Sequence, residues 1–203
     1  VTTVQRIRIE ALTDLVFGLA LSIGALVLTL QEHAEPIDVL DSIFWFVFSF
    51  LILISVWLNY SYIVSVFTVE TPRELLLNIA LLLLISLEPF LLNVMVNDAN
   101  VEAVLNLASA AYAVDIGAIM ACLGLLLHTA ARHREGRGDH EGAKGDRKLR
   151  NSRWFYSALF FLTALPMFWD LRLEGVQLRF LVWFASPIIW VANVAAGVRR
   201  RSR

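Results

Sequence analysis

Three observations predict an all-α integral membrane protein with six transmembrane helices per subunit. Of 203 residues, 58% are hydrophobic and only 17% are charged, against roughly a quarter charged in soluble domains. The apolar residues form long continuous runs, each near the ~20 residues that carry a helix across a bilayer core. The polar segments between the runs alternate in the sign of their charge.

The first run, about 4–30, contains "RIEALTDLVFGLALSIGALVL". Basic residues ahead of an apolar stretch resemble a signal peptide. Here Glu10 and Asp14 interrupt the approach, and no small-residue cleavage pattern leads into a polar domain, so the segment is expected to be a retained helix. The second run, about 42–67, is rich in Phe and Trp, and the third, about 73–96, reads "LLLNIALLLLISLEPFLLNVMV". The fourth spans about 101–131, the fifth about 152–169 and the sixth about 175–198. The runs lack the period-two alternation of barrel strands. A single six-helix transmembrane domain over 1–203 is therefore expected.

Arg6 and Arg8, then Arg73, the arginine- and lysine-rich stretch 132–153, and the arginines at the end of the chain fall in one set of polar segments. The intervening set is acidic: Glu32, Glu35, Asp38 and Asp41, then Asp98 and Glu102, then Asp170 and Glu174, with only Arg172 and Arg179 beside them. The positive-inside rule puts both termini in the cytoplasm. That alternation works for six spans and fails for five or seven. The segment "RHREGRGDHEGAKGDRKLR" mixes glycines with both charge signs, which predicts a flexible charged cytoplasmic linker over 132–151. Its basic residues can contact anionic headgroups.

Cys122 is the one cysteine, so no intrachain disulfide and no cysteine metal site can form. The four histidines show no metal-ligand spacing. No nucleophile–base pair or phosphate-cradling motif is present. No enzyme, metal, cofactor or nucleic-acid partner is expected, and the lipid bilayer is the chain's first partner.

At 100° per residue, Leu12, Leu15, Val16, Leu19, Ile23, Leu26 and Leu30 share one face of the first helix, and Ser22 lies about 60° from Leu19. Asp14 falls roughly 140° away from Leu19, which directs it into the protein behind an apolar face. Ala11, Gly18, Ser22 and Ala25 form a row of small residues that lets helices approach closely in lipid. A carboxylate at a helix centre in lipid costs ~2.5–3.5 kcal/mol on insertion scales, so Asp14 needs a partner, and Arg8 lies six residues before it. Glu88 and Asp115 are two further intramembrane acids. Glu88 reads either as a structural partner for a polar group or as a site touching an ion path; Asp115 reads as structural.

The run Arg8-x-x-x-Leu12-Thr13-Asp14, with "LVFGLALSIGALVL" after it, resembles the arginine-x-x-x-Phe-Ser-Asp signature of the transmembrane protein 175 family of potassium-permeable channels. "SVWLNYSYIVSVF" (55–67) is similar to the family's second helix, where a tryptophan precedes a histidine pair. "LNIALLLLISLEPF" (77–90) looks like its third. The last three helices match in number and topology. The resemblance implies a prokaryotic cell-membrane protein assembled as a homotetramer, its first helices lining a central pore for potassium and other monovalent cations. It implies a hydrophobic constriction at Leu19, Ile23 and Leu26, a hydroxyl layer at Ser22, and a signature network of Arg8, Thr13, Asp14 and Asn59 that holds the first helix in place. Leu12 and Thr13 replace Phe and Ser, and Asn59-Tyr60 replaces the histidine pair, so no titrating network is expected there. Two other classes remain open: a proton-coupled secondary transporter using the intramembrane carboxylates, and a non-conducting scaffold in which the apolar stripe only packs.

Overall fold

The computed structural model describes residues 3–30, 36–66, 71–97, 101–173 and 176–184. Five helices follow one another: α1 Thr3–Leu30, α2 Pro36–Val66, α3 Pro72–Asn97, α4 Glu102–Gly136 and α5 His140–Thr163. A one-turn 3-10 helix, Pro166–Phe168, leads to an antiparallel hairpin of β1 (Arg172–Leu173) and β2 (Val176–Gln177). Residues 178–184 are helical again.

The helix ends are written in side chains. Thr71 and Glu74 form a reciprocal capping box at the start of α3: the Thr71 N–H donates to Glu74 Oε2 at 2.9 Å and the Glu74 N–H to Thr71 Oγ1 at 3.3 Å. This satisfies backbone donors that have no partner within the helix. Pro72 at the first helical position loses nothing, since its N–H would be unpaired there. Pro89 sits inside α3, where its ring removes one backbone hydrogen bond.

Helix α4 stops in a Schellman motif. The N–H groups of Gly138 and Asp139 donate to the carbonyls of Glu135 and Arg134, each at 3.0 Å. Gly138 holds φ at 80°, a left-handed value at which a side chain is strained. Asp139 then caps α5, its Oδ1 accepting the Gly142 N–H at 2.9 Å. Three residues therefore turn the chain between two helices.

This corrects the expectation of a flexible linker over 132–151. Helix α4 continues to Gly136 and α5 begins at His140. The glycines and charges that suggested a loop supply instead a C-terminal stop, a cap, and a helical face on which Ala143 and Asp146 are buried.

Helix α4 is the central element. It packs against α2, α3 and α5, and α1 lies across α2 and α3. Val56, Leu81, Ile85, Ile116, Ile119 and Leu123 are fully buried between them. Two glycines bring α4 and α5 close: a Cβ at Gly117 would meet the Phe161 ring at 3.2 Å, and one at Gly124 the Trp154 indole at 3.3 Å. Ser157 Oγ uses that proximity to donate to the Gly117 carbonyl at 2.8 Å.

Three helices are long and apolar enough to cross a membrane among the described residues: 42–66 of α2, together with α3 and α4. The apolar part of α1 is the shorter Ala11–Leu26. The expected sixth span, 175–198, opens on β2 and continues as helix to 184; its remainder lies outside the described residues.

Candidate pore face and buried polar clusters

Helix α1 has two faces. Thr13, Phe17, Ala20 and Gly24 are buried against α2 and α3, a seam at helical spacing. On the other face Leu12, Leu15, Leu19, Ile23 and Leu26 each remain 46–59% exposed. A contiguous apolar patch of this kind is covered by lipid or by another chain. Ser22 is exposed on the same side and its Oγ donates to the Gly18 carbonyl at 2.7 Å. That donation leaves oxygen lone pairs free to face outwards.

The small-residue row behaves differently from its expectation within one chain. Ala11, Gly18, Ser22 and Ala25 are all exposed, and nothing lies within 4 Å of a Cβ built at Gly18. Gly24 is the glycine of α1 that meets a neighbour, the Phe46 ring at 3.9 Å.

The signature residues meet α2, but by other partners than expected. Thr13 is fully buried; its Oγ1 donates to the Ile9 carbonyl at 2.9 Å and lies 3.4 Å from the Tyr60 hydroxyl. Asp14 is exposed and accepts the Trp57 indole N–H at 3.0 Å. Asn59 turns back onto its own helix and donates to the Ser55 carbonyl at 2.6 Å. Within one chain the contact is therefore made by Trp57 and Tyr60, while Asn59 bonds its own helix. The side chain of Arg8 lies outside the described residues. Trp57 and Tyr60 bracket Asn59 in the sequence, so the right turn of α2 was legible and the right face was not.

Between α2, α3 and α4 lies a second polar cluster. Glu88 is fully buried. Ser49 Oγ is 2.9 and 3.1 Å from its two carboxylate oxygens, and the Tyr112 hydroxyl donates to Oε1 at 3.0 Å. Asp115, 3% exposed, follows Tyr112 by three residues and so shares its face of α4. Neither Asp115 oxygen has a hydrogen-bond partner. Ser49 and Tyr112 escaped the sequence reading. The spacing of Tyr112 from Asp115 was the available signal for one; Ser49, in a phenylalanine-rich run, carried none.

A third cluster clamps α4 and α5 to α2. Asp146 is fully buried and accepts the Tyr62 hydroxyl at 2.7 Å, while Arg134 Nε stands 3.0 Å from its other oxygen. Arg134 also reaches Asp139 at 2.6 Å. The Gly142 N–H first, and Arg134 second, hold the exposed Asp139 carboxyl below its usual range. No group of three or more metal-ligating side chains occurs among the described residues.

Residues 8–89 match the family described as endosomal/lysosomal potassium channel TMEM175. The crystal structure of a lysosomal potassium-selective channel TMEM175 homolog from Chamaesiphon minutus superposes with a TM-score of 0.66 at 21% identity. The alignment covers 94% of this chain and 98% of that one, so the two share a fold along almost their whole length. No curated protein matches the chain.

Proposed function

We propose that this chain, whose residues 8–89 match the TMEM175 family, is a potassium-permeable cation channel. Four copies assemble with their α1 helices around a central pore. Leu19, Ile23 and Leu26 narrow that pore, and Ser22 supplies a hydroxyl layer beside the narrowing.

One observation carries this reading: α1 buries Thr13, Phe17, Ala20 and Gly24 inside the subunit and leaves an apolar stripe unpacked on the opposite face. Apolar constrictions gate by dewetting, and widening them admits water and ions. Discrimination of potassium from sodium then rests on partial dehydration at the narrowing and is modest. Thr13 and Asp14, held to Tyr60 and Trp57, fix the entrance of α1 against α2. The positive-inside pattern supports cytoplasmic termini in a prokaryotic cell membrane.

The test is potassium and sodium flux through purified protein in liposomes. Ile23→Asn and Leu19→Asn each raise flux and lower selectivity. Unchanged conductance in both variants would remove these residues from the pore. Flux that requires a coupled proton gradient and runs at carrier rates would favour a transporter, and no flux at all a scaffold.

A further inference from the structure

Two carboxylates buried in one bundle are a larger electrostatic problem than either alone. In a low-dielectric interior, neighbouring like charges cannot both persist without donors or cations. Glu88 has donors: Ser49 and Tyr112 together place hydroxyls on both of its oxygens. Asp115 has none, although it is 97% buried by the exposure that it retains, 3%. It shares a buried face of α4 with Tyr112, one turn away, whose hydroxyl donates to Glu88 at 3.0 Å.

Among the described residues, the groups around the pair supply no positive charge. From α2 comes Ser49, from α3 Glu88 itself, and from α4 Tyr112. Arg153 on α5 points at the Met120 sulfur, 3.8 Å away, and over the Tyr156 ring. Arg179, after β2, donates to Asn106 at 2.6 Å and to Gln177. Asp14, the described acid of α1, is bound to Trp57. Among the described residues, then, Asp115 faces an acid and no base.

We propose that Glu88 and Asp115 form a proton-binding site inside the subunit, in which Glu88 is the fixed hydrogen-bond acceptor and Asp115 carries the exchangeable proton. Protonation neutralises the carboxyl that no side chain serves among the described residues. The site is separate from the proposed pore face, because Glu88 and Tyr112 are fully buried between helices whereas Leu19 and Ile23 are exposed on α1. It lies nine residues from the end of α3 at Asn97, a depth of about 13 Å along the helix. Loss of its proton would place a second negative charge among α2, α3 and α4 and loosen their packing. The pair titrates as a unit.

Infrared difference spectroscopy of the intact protein in lipid bilayers, stepped across pH, detects the C=O stretch of a protonated carboxyl. The wild type shows that band at neutral pH and loses it under alkaline conditions. Carbon-13-labelled aspartate shifts it, which identifies the residue type without a substitution. Asp115→Asn abolishes the band, and Asp14→Asn keeps it. Glu88→Gln moves its loss about one pH unit or more lower, because repulsion disappears while burial stays. A missing band at neutral pH, a band moved only by labelled glutamate, or a band indifferent to Glu88→Gln overturns the proposal. So does a band that sodium or potassium removes at fixed pH, since the site then holds a metal cation instead.

Discussion

The α4–α5 hairpin and helix α1 solve opposite problems. The hairpin is complete within one chain. Its turn is fixed by Gly138 and Asp139, its helices touch through Gly117 and Gly124, and Asp146 ties it to Tyr62 on α2. Helix α1 is held along one seam and by two polar contacts near its start, Thr13 with Tyr60 and Asp14 with Trp57. Its other face is apolar and unpacked. One half of the subunit is thus a scaffold, and the other presents a surface that only neighbouring chains or lipid can complete. In the proposed channel the first is the frame and the second the lining.

Breaking the frame gives the largest expected effect. Asp146→Ala removes the acceptor of Tyr62 and one partner of Arg134. A fully buried ion pair broken in this way costs ~3–5 kcal/mol, but Arg134 is partly exposed and keeps Asp139, so about 2 kcal/mol is expected. Thermal unfolding of the solubilised protein measures it. A change below ~0.5 kcal/mol would put the clamp on a par with an ordinary surface site. Gly138→Ala comes next. A side chain at φ 80° is strained by about 1 kcal/mol, and the same melt should show that smaller loss.

Helix α1 sharpens the contrast. Leu19 is 53% exposed, so Leu19→Ala should change subunit stability by less than about 0.5 kcal/mol. Its effect should appear instead in flux and in oligomer stability, read by liposome assay and by native mass. A large drop in the subunit's own unfolding temperature would mean that the stripe packs within the chain.

The two regions also differed in how much the sequence disclosed. On α1 the apolar residues repeat at helical spacing, so phase alone separated Leu19, Ile23 and Leu26 from the side that carries Asp14. The first half of α5 has no such stripe. Residues 140–151 are polar and contain glycines, and they are helical because a cap starts them and Asp146 and Ala143 find buried places. Those are tertiary facts with no hydrophobic run to announce them. Asn59 bonds within its own helix for a related reason. Position in a motif suggested it, but an amide inside a helix competes for the carbonyl four residues back, and Trp57 and Tyr60 took the contact. Glu88 was conspicuous because acids are rare in apolar runs, whereas its donor Ser49 became visible only once α2 and α3 were side by side.

Acid provides the gentlest way to separate frame from lining. Asp139 begins α5, and its carboxyl is held below the usual range by the Gly142 N–H and then by Arg134. A group whose folded value is depressed contributes its stability above the unfolded value, near 3.9 for aspartate, and loses it as pH falls through the lower folded value. The start of α5 should therefore fray only below about pH 4, seen as faster amide exchange at Gly142 and Ala143 while α1 is unaffected. Asn caps helices about as well as Asp, so Asp139→Asn should keep the helix start and flatten that acid dependence. Fraying that persists unchanged in Asp139→Asn would assign the acid sensitivity to another carboxylate.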